Sequence, residues 1–399
     1  MSQTDHDLRD EVRAWLADNW NPGQRGRAAT GAPGGATTAW LTKVVEARWA
    51  VPRWPRDWFG RELDDAQARI IEQEFAGAGA PGAGQDRSNL WANTALAYAT
   101  PGFKARIVPA LLKGEVGMCL LYSEPGAGSD LAGVRTRAER RGDHFVVNGQ
   151  KVWTSMAAEA DYGMLIARTD WDVPKHKGLS FFFLPMKQSG VEVRPLRQIT
   201  DEAHFNEVFL TDAVAPAENL LGPLGGGWGV LMTALAYERS VMGEGARGPR
   251  SAAQGPSGET NLIDLAREAG RLDDPALRQD IARVTGYKVL NRLNNARAKA
   301  DVAQGAASPI MSLGKLAMSR ILHEEARVRT AILGADSLLE GPDHPRAEDA
   351  NFLTLNAYFT SIGGGTDQIQ RNIIGERVLG LPKEPEVDRD VPFRQVRGA

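Results

Sequence analysis

The chain has almost no cysteine: Cys119 stands alone among 399 residues. One thiol excludes an intrachain disulfide, and the absence of any Cys-x-x-Cys pair or Cys/His cluster removes the structural-zinc signature. Large net charge is missing too. Forty-seven Lys and Arg against 50 Asp and Glu leave a formal charge of -3, with no general attraction to nucleic acid or an anionic membrane. No run of about eighteen apolar residues occurs, and the first twenty residues carry Asp5, Asp7, Asp10 and Glu11 in place of a signal-peptide core. The expectation is a cytoplasmic protein without metal, membrane span or nucleic-acid partner. What the chain does have is 42% hydrophobic composition, enough to bury a sizeable core, and length for two or three domains.

Leu8, Val12, Trp15 and Leu16 fall at helical spacing and Asn21-Pro22-Gly23 ends the pattern, which predicts a first amphipathic helix over 7–20. Helical stretches follow at 39–50 and 64–77. From about Gly117 the runs become short and β-rich: His144 to Val147, Gln150 to Trp153, Phe181 to Leu184, Val208 to Leu210. Asn148-Gly149 between the first two predicts a type I′ hairpin turn. After Gly225-Gly226-Gly227 the period is helical again to Leu379, with a Gly/Ser/Pro-rich linker expected over 243–258. Helices, then strands, then helices define an α+β chain with a helical domain at 1–115, a β domain at 116–225 and a second helical domain at 226–399.

Three segments suit chemistry. Tyr122-Ser-Glu-Pro-Gly-Ala-Gly-Ser-Asp130 combines glycines, which let consecutive N–H groups face an anion, with hydroxyl donors; a plain turn between strands uses the same residues. Asn148-Gly-Gln-Lys-Val-Trp-Thr-Ser155 sets a Trp among hydroxyls, able to stack on a flat cofactor or to fill a core. Ser361-Ile-Gly-Gly-Gly-Thr-Asp-Gln-Ile-Gln-Arg-Asn-Ile-Ile374 reads as a glycine loop entering a helix, with Thr366 as N-cap and Asp367 on the positive end of the helix dipole.

In this order and at these separations, the three segments resemble the signatures of the acyl-CoA dehydrogenase family, TEPxAGSD, NGxKxWxT and xEGTxxIQRxIIxxxxLG, and the resemblance runs from about Leu8 to Pro382. It implies a helical domain, a central β-barrel-like domain and a C-terminal helical bundle, usually in a tetramer. It also implies FAD as cofactor, an acyl-CoA thioester as substrate, a place in fatty-acid β-oxidation and an electron-transfer flavoprotein as acceptor. Carried over by position, Tyr122, Ser123, Trp153 and Ser155 surround the flavin ring. Gly128 and Ser129 lie near the ring edge and the phosphates, and Thr366 and Gln368 contact FAD at the helix entry.

The sequence departs from the family in two places. The family's most frequent catalytic base, the Glu before Gly-Thr, is Gly364 here, beside Gly365 in the substrate region. Some members carry the base before an arginine on the helix after the β domain, and Ala236-Tyr237-Glu238-Arg239 stands at that position. Leu231, Ala234, Leu235, Val241 and Met242 place Glu238 on the apolar stripe of that helix, where burial raises a carboxylate's pKa and strengthens it as a base. Glu238 is therefore the expected α-proton base and Arg239 a contact to CoA, with a structural Glu–Arg pair as the alternative. The second departure is the linker after Met242 in place of an arginine-rich motif, with Ala331 where a glutamine is expected; both belong to contacts with a neighbouring subunit's FAD. The reading is thus an α,β-dehydrogenase acting as a homo-oligomer or in a heterotetramer with a related chain. Its rivals are a partner subunit with an incomplete site, a silent acyl-CoA-binding scaffold, and an oxidase that uses O2.

Overall fold

The computed structural model describes residues 3–21, 36–245, 261–303, 311–386 and 388–396. These divide into two compact units: Met1–Arg197 with Ala203–Val241 and Glu386–Ala399, and Gln198–Glu202 with Met242–Pro385.

The first unit opens with helices. The expected amphipathic helix is α1 (Gln3–Asn19), followed by α2 (Ala36–Glu46), α3 (Asp65–Ala78), α4 (Gln85–Ser88), α5 (Leu90–Tyr98) and α6 (Pro101–Lys113). Their ends follow local chemistry: the Asp64 carboxylate accepts from Gln67 N at the start of α3, and Gly79, in the left-handed conformation, closes it. Eight strands come next: β1 (Met118–Leu121), β2 (Arg137–Arg141), β3 (His144–Ser155), β4 (Tyr162–Arg168), β5 (Leu179–Pro185), β6 (Val191–Leu196), β7 (Phe205–Pro216) and β8 (Leu220–Leu221). They form one sheet in the order β6-β7-β3-β2-β4-β5-β8, with β1 parallel to β4.

Alternation along β5 explains why the sheet sits inside. Phe181 and Phe183 join the core of the N-terminal helices, which includes Trp40, Trp49, Phe75 and Phe103, while Phe182 and Leu184 join Phe145, Leu165 and Val208 in a second core. Both faces are buried, so the run reads as continuous apolar sequence.

The predicted hairpin at Asn148-Gly149 is not formed. β3 runs unbroken from His144 to Ser155, and the turn that pairs it with β2 lies at Gly142, φ 63°. Neighbouring strands override the local signal. The Asn148 side chain donates to Asp212 Oδ1 at 2.9 Å and accepts from Asp212 N at 2.9 Å, joining a bulge in β3 to β7. At Gly149 a Cβ would lie 2.5 Å from Thr136 Oγ1 and 2.8 Å from Thr136 Cα, so the glycine serves close approach to the residue that leads into β2. Gly149→Ala is accordingly expected to cost about 2 kcal/mol by overpacking. Urea denaturation checks this, and no loss would mean that Thr136 gives way freely.

Helix α7 (Gly227–Gly245) leads from the first unit to the second. It carries Gly243 to Gly245, expected in the linker, in helical conformation; 246–260 lie outside the described residues. The second unit contains α8 (Leu262–Glu268), α9 (Pro275–Ala303), α10 (Met311–Leu333), α11 (Pro345–Ile362) and α12 (Asp367–Ile373), the last running into a π-turn over Ile374–Val378. α10 packs against α9, α11 and α12. Leu262, Leu265, Leu277, Ile281, Val328 and Ile332 form its core. Among the described residues no helix is long and apolar enough to cross a membrane, and no group of three metal-ligating side chains occurs.

Candidate active site

Within the first unit the fold brings the first two segments side by side. The chain leaving β1 passes β3: Val152 N donates to Ser123 O at 2.9 Å and Thr154 Oγ1 to Leu120 O at 3.1 Å. Glu124 and Ala127 then exchange two backbone hydrogen bonds of 3.0 Å, closing the turn that carries Gly126.

Beneath this turn lies an ion pair. Lys151 is 0% exposed, and its Nζ donates to Glu124 Oε1 at 2.8 Å, Ile166 O at 2.8 Å and Tyr122 O at 3.0 Å. The Glu124 carboxylate accepts from Arg135 N at 2.7 Å and Thr136 N at 2.9 Å. Burial alone would raise Glu124, yet Lys151 and the two N–H donors hold it below the usual carboxylate range; burial draws Lys151 below the usual amine range against the pull of Glu124. Every donor of the ammonium is used, which makes the charge tolerable in the interior.

Trp153 owes its position to a bulge. The β3–β7 register shifts between Lys151 and Thr154, and Trp153 takes φ 62°, an uncommon backbone for a bulky residue. Its indole is 57% exposed, edge-on to Phe205 with centroids 6.0 Å apart. Ser155 is exposed and Ser123 half-buried close by in the chain pairing. Gly128 and Ser129 are exposed as well, and a Cβ on Gly128 would meet nothing within 4 Å, leaving room for a ligand's close approach. The Tyr122 ring behaves differently from its neighbours: it is buried, 5.9 Å from the Phe181 ring, with its hydroxyl 3.9 Å from Met164 Sδ. An exposed flat indole, neighbouring hydroxyls and an open glycine turn fit a planar, phosphate-bearing cofactor.

The third segment lies in the second unit. Thr366 caps α12 as predicted, its Oγ1 accepting from Ile369 N at 3.2 Å, and Gln368 is exposed. Gly364 and Gly365 adopt φ 64° and 88°, left-handed conformations that disfavour a side chain. Sequence reasoning missed the residues that fix this loop. Ser319 Oγ donates to Asp367 Oδ2 at 2.8 Å, Lys315 Nζ reaches Asp367 and the Thr360 carbonyl, and His323 Nε2 lies 2.6 Å from Ser361 Oγ. The available signal was a polar stripe at spacing four, Lys315, Ser319 and His323, on one face of α10.

Glu238 lies on α7, one turn beyond the buried Ala234 and nearly two beyond the buried Leu231. The side chains of Glu238 and Arg239, and those of Val241 and Met242, lie outside the described residues.

The sequence matches the models of the acyl-CoA dehydrogenase N-terminal domain over residues 2–115, middle domain over 119–213 and C-terminal domain over 225–379. The chain belongs to the acyl-CoA dehydrogenase family, FAD-dependent oxidoreductases with helical terminal domains and a central sheet. It is 35% identical to acyl-CoA dehydrogenase IpdE1 of Mycobacterium tuberculosis over 95% of this chain and 98% of that one. It is 37% identical to acyl-CoA dehydrogenase FadE34 of the same organism over 83% of this chain and 44% of the larger protein. Among solved structures, the Tcur3481-Tcur3483 steroid ACAD aligns with TM-score 0.71 and 27% identity over 96% of this chain and 99% of that one. The ChsE4-ChsE5 complex from Mycobacterium tuberculosis aligns with TM-score 0.67 and 27% identity over the same shares.

Proposed function

We propose that the protein removes two hydrogens from the α and β carbons of a bulky, ring-bearing acyl-CoA to give the trans-2-enoyl thioester, with Glu238 as the base that takes the α-proton. The observation that carries the flavin side of this reading is the exposed Trp153 indole, held out on a strained bulge beside Ser123 and Ser155. Trp153 flanks the ring, Ser123 and Ser155 offer donors, and Gly128 and Ser129 face the phosphates; Thr366 and Gln368, in the second unit, rest as FAD contacts on the family resemblance alone. When bound, FAD supplies the acceptor for the β-hydride. Arg239 meets the CoA moiety. The left-handed backbone of Gly364 and Gly365 supports the choice of base, since that conformation resists the glutamate most relatives place there and the missing side chain leaves volume for a large acyl group.

The carboxylate would act by basicity: a poorly solvated carboxylate binds a proton more readily, and here it would take one from a carbon acidified by the thioester. The electrons pass to an electron-transfer flavoprotein in the cytoplasm, a compartment suited to the single buried Cys119, whose thiol burial pushes up to about 12.

The test is anaerobic bleaching of the yellow protein by a panel of thioesters. Ring-bearing acyl-CoA is expected to reduce the flavin about tenfold faster than butyryl-CoA or more, the discrimination an apolar pocket can provide. A preference for butyryl-CoA would sink the substrate assignment. A second reading, a subunit of a heteromeric dehydrogenase, is supported by the two-chain assemblies among the similar structures. Failure of the chain to take up FAD until a related chain is co-expressed would favour it.

A further inference from the structure

The segment 388–396 lies beyond the stretch matched to the family's C-terminal domain, yet it is seated on the first unit. Phe393 is 3% exposed and accepts the Arg168 guanidinium on its face, with Cζ 3.4 Å from the ring centroid; the Trp171 ring stands 5.4 Å away. Phe393 N donates to Val173 O at 2.9 Å, Arg394 N to Trp171 O at 3.1 Å, and Arg394 Nη2 to Asp172 at 2.7 Å.

Arg168 is itself 0% exposed and, among the described residues, pairs with no carboxylate in direct contact. It donates from Nη2 to Ala132 O at 2.6 Å, from Nε to Val134 O at 3.1 Å and from Nη1 to Lys175 O at 3.1 Å, and its backbone N donates to Thr136 O at 2.7 Å. Lys175 Nζ completes the tie, 3.0 Å from Asp130 and 3.6 Å from Asp388. The guanidinium thus spans the chain directly after Gly128 and Ser129, and the phenyl ring covers its remaining face, an arrangement that compensates a cation hidden from water.

We infer that the C-terminal segment is a latch, and that Phe393 and Arg168 are positioning residues which, through Asp130 to Thr136, hold the Gly128-Ser129 turn ready for FAD. This rests on the proposed cofactor role of Gly128 and Ser129. Aromatic character is what the latch needs at 393, because leucine fills similar space but presents no π face.

The full-length Phe393→Leu protein and a chain ending at Pro385 are compared with wild type by hydrogen–deuterium exchange, FAD titration of the apoprotein and the flavin visible spectrum. Expected are faster exchange over 130–136, an FAD dissociation constant raised about tenfold, the equivalent of one desolvated cation–π contact, and a visible band moved toward that of free flavin. Unchanged exchange and FAD affinity in Phe393→Leu would overturn the latch, whether or not the shortened chain folds. Gly128→Val separates the two readings. If it weakens FAD while Phe393→Leu does not, the latch is wrong. If exchange rises in Phe393→Leu but neither variant alters FAD affinity, the cofactor role of the turn is wrong and the positioning claim falls with it.

Discussion

Glu238→Gln is expected to leave the fold and bound FAD unchanged and to slow flavin reduction by acyl-CoA by about a thousandfold, the scale of a lost general base. Glutamine fills nearly the same space on α7 and still hydrogen-bonds, but cannot accept the α-proton, so the loss reports chemistry and not packing. Anaerobic stopped-flow absorbance of the flavin band is the measurement; reduction at the wild-type rate would make Glu238 a structural carboxylate. Gly364→Glu in the Glu238→Gln background places a carboxylate where the family resemblance expects the base. Only partial recovery is expected, because Gly364 has φ 64° and glutamate tolerates that backbone poorly.

The second large effect concerns stability. Lys151→Met leaves the Glu124 carboxylate buried without its counter-charge, and breaking such a pair from one side costs about 3–5 kcal/mol. Thermal melting of the apoprotein should fall by about 5 °C for a protein of this size. The double variant Lys151→Met, Glu124→Gln removes both charges while a glutamine oxygen can still accept from Arg135 N or Thr136 N, so it should melt above Lys151→Met. If the double variant melts lower than the single one, the pair is not the unit the geometry describes.

The pH dependence has a definite sign. Glu124 in the wild type is held below its unfolded value of about 4.3, so its contribution is present above that pH and is lost as pH falls through the lower folded value. In Lys151→Met, burial without the lysine raises the folded pKa, and the penalty is full above that value and fades as pH drops. The gap in stability between the two proteins should therefore narrow on acidification, and a gap independent of pH would argue that lost packing, not charge, is responsible.

Much of the site was legible because its chemistry is local. The Thr366 cap, the glycine-rich Gly126 to Ser129 turn, the indole among hydroxyls and the replacement of a glutamate by Gly364 are each visible within a few residues, and their joint spacing pointed to the family. Asn148-Gly149 was misread for the opposite reason. A turn signal is a statement about local backbone preference, and here cross-strand bonds to Asp212 and the close approach of Thr136 outweighed it. Tyr122 was expected around the flavin ring from the family resemblance; its own ring packs in the core beside Phe181.

By itself the sequence determined the order of helices, strands and helices, the apolar faces that bury them, and the three short segments on which the family resemblance rests, because periodicity and composition act over short stretches. Only the tertiary structure decided that Lys151 spends its charge on Glu124 and two backbone carbonyls, that a bulge turns Trp153 outward, and that Phe393 closes over Arg168. A buried charge takes its meaning from partners that satisfy it, and in this chain those partners lie 27 residues apart for Lys151 and Glu124 and still further along the chain for Arg168 and Phe393. Separations of that length leave no pattern in a sequence until the fold has closed them.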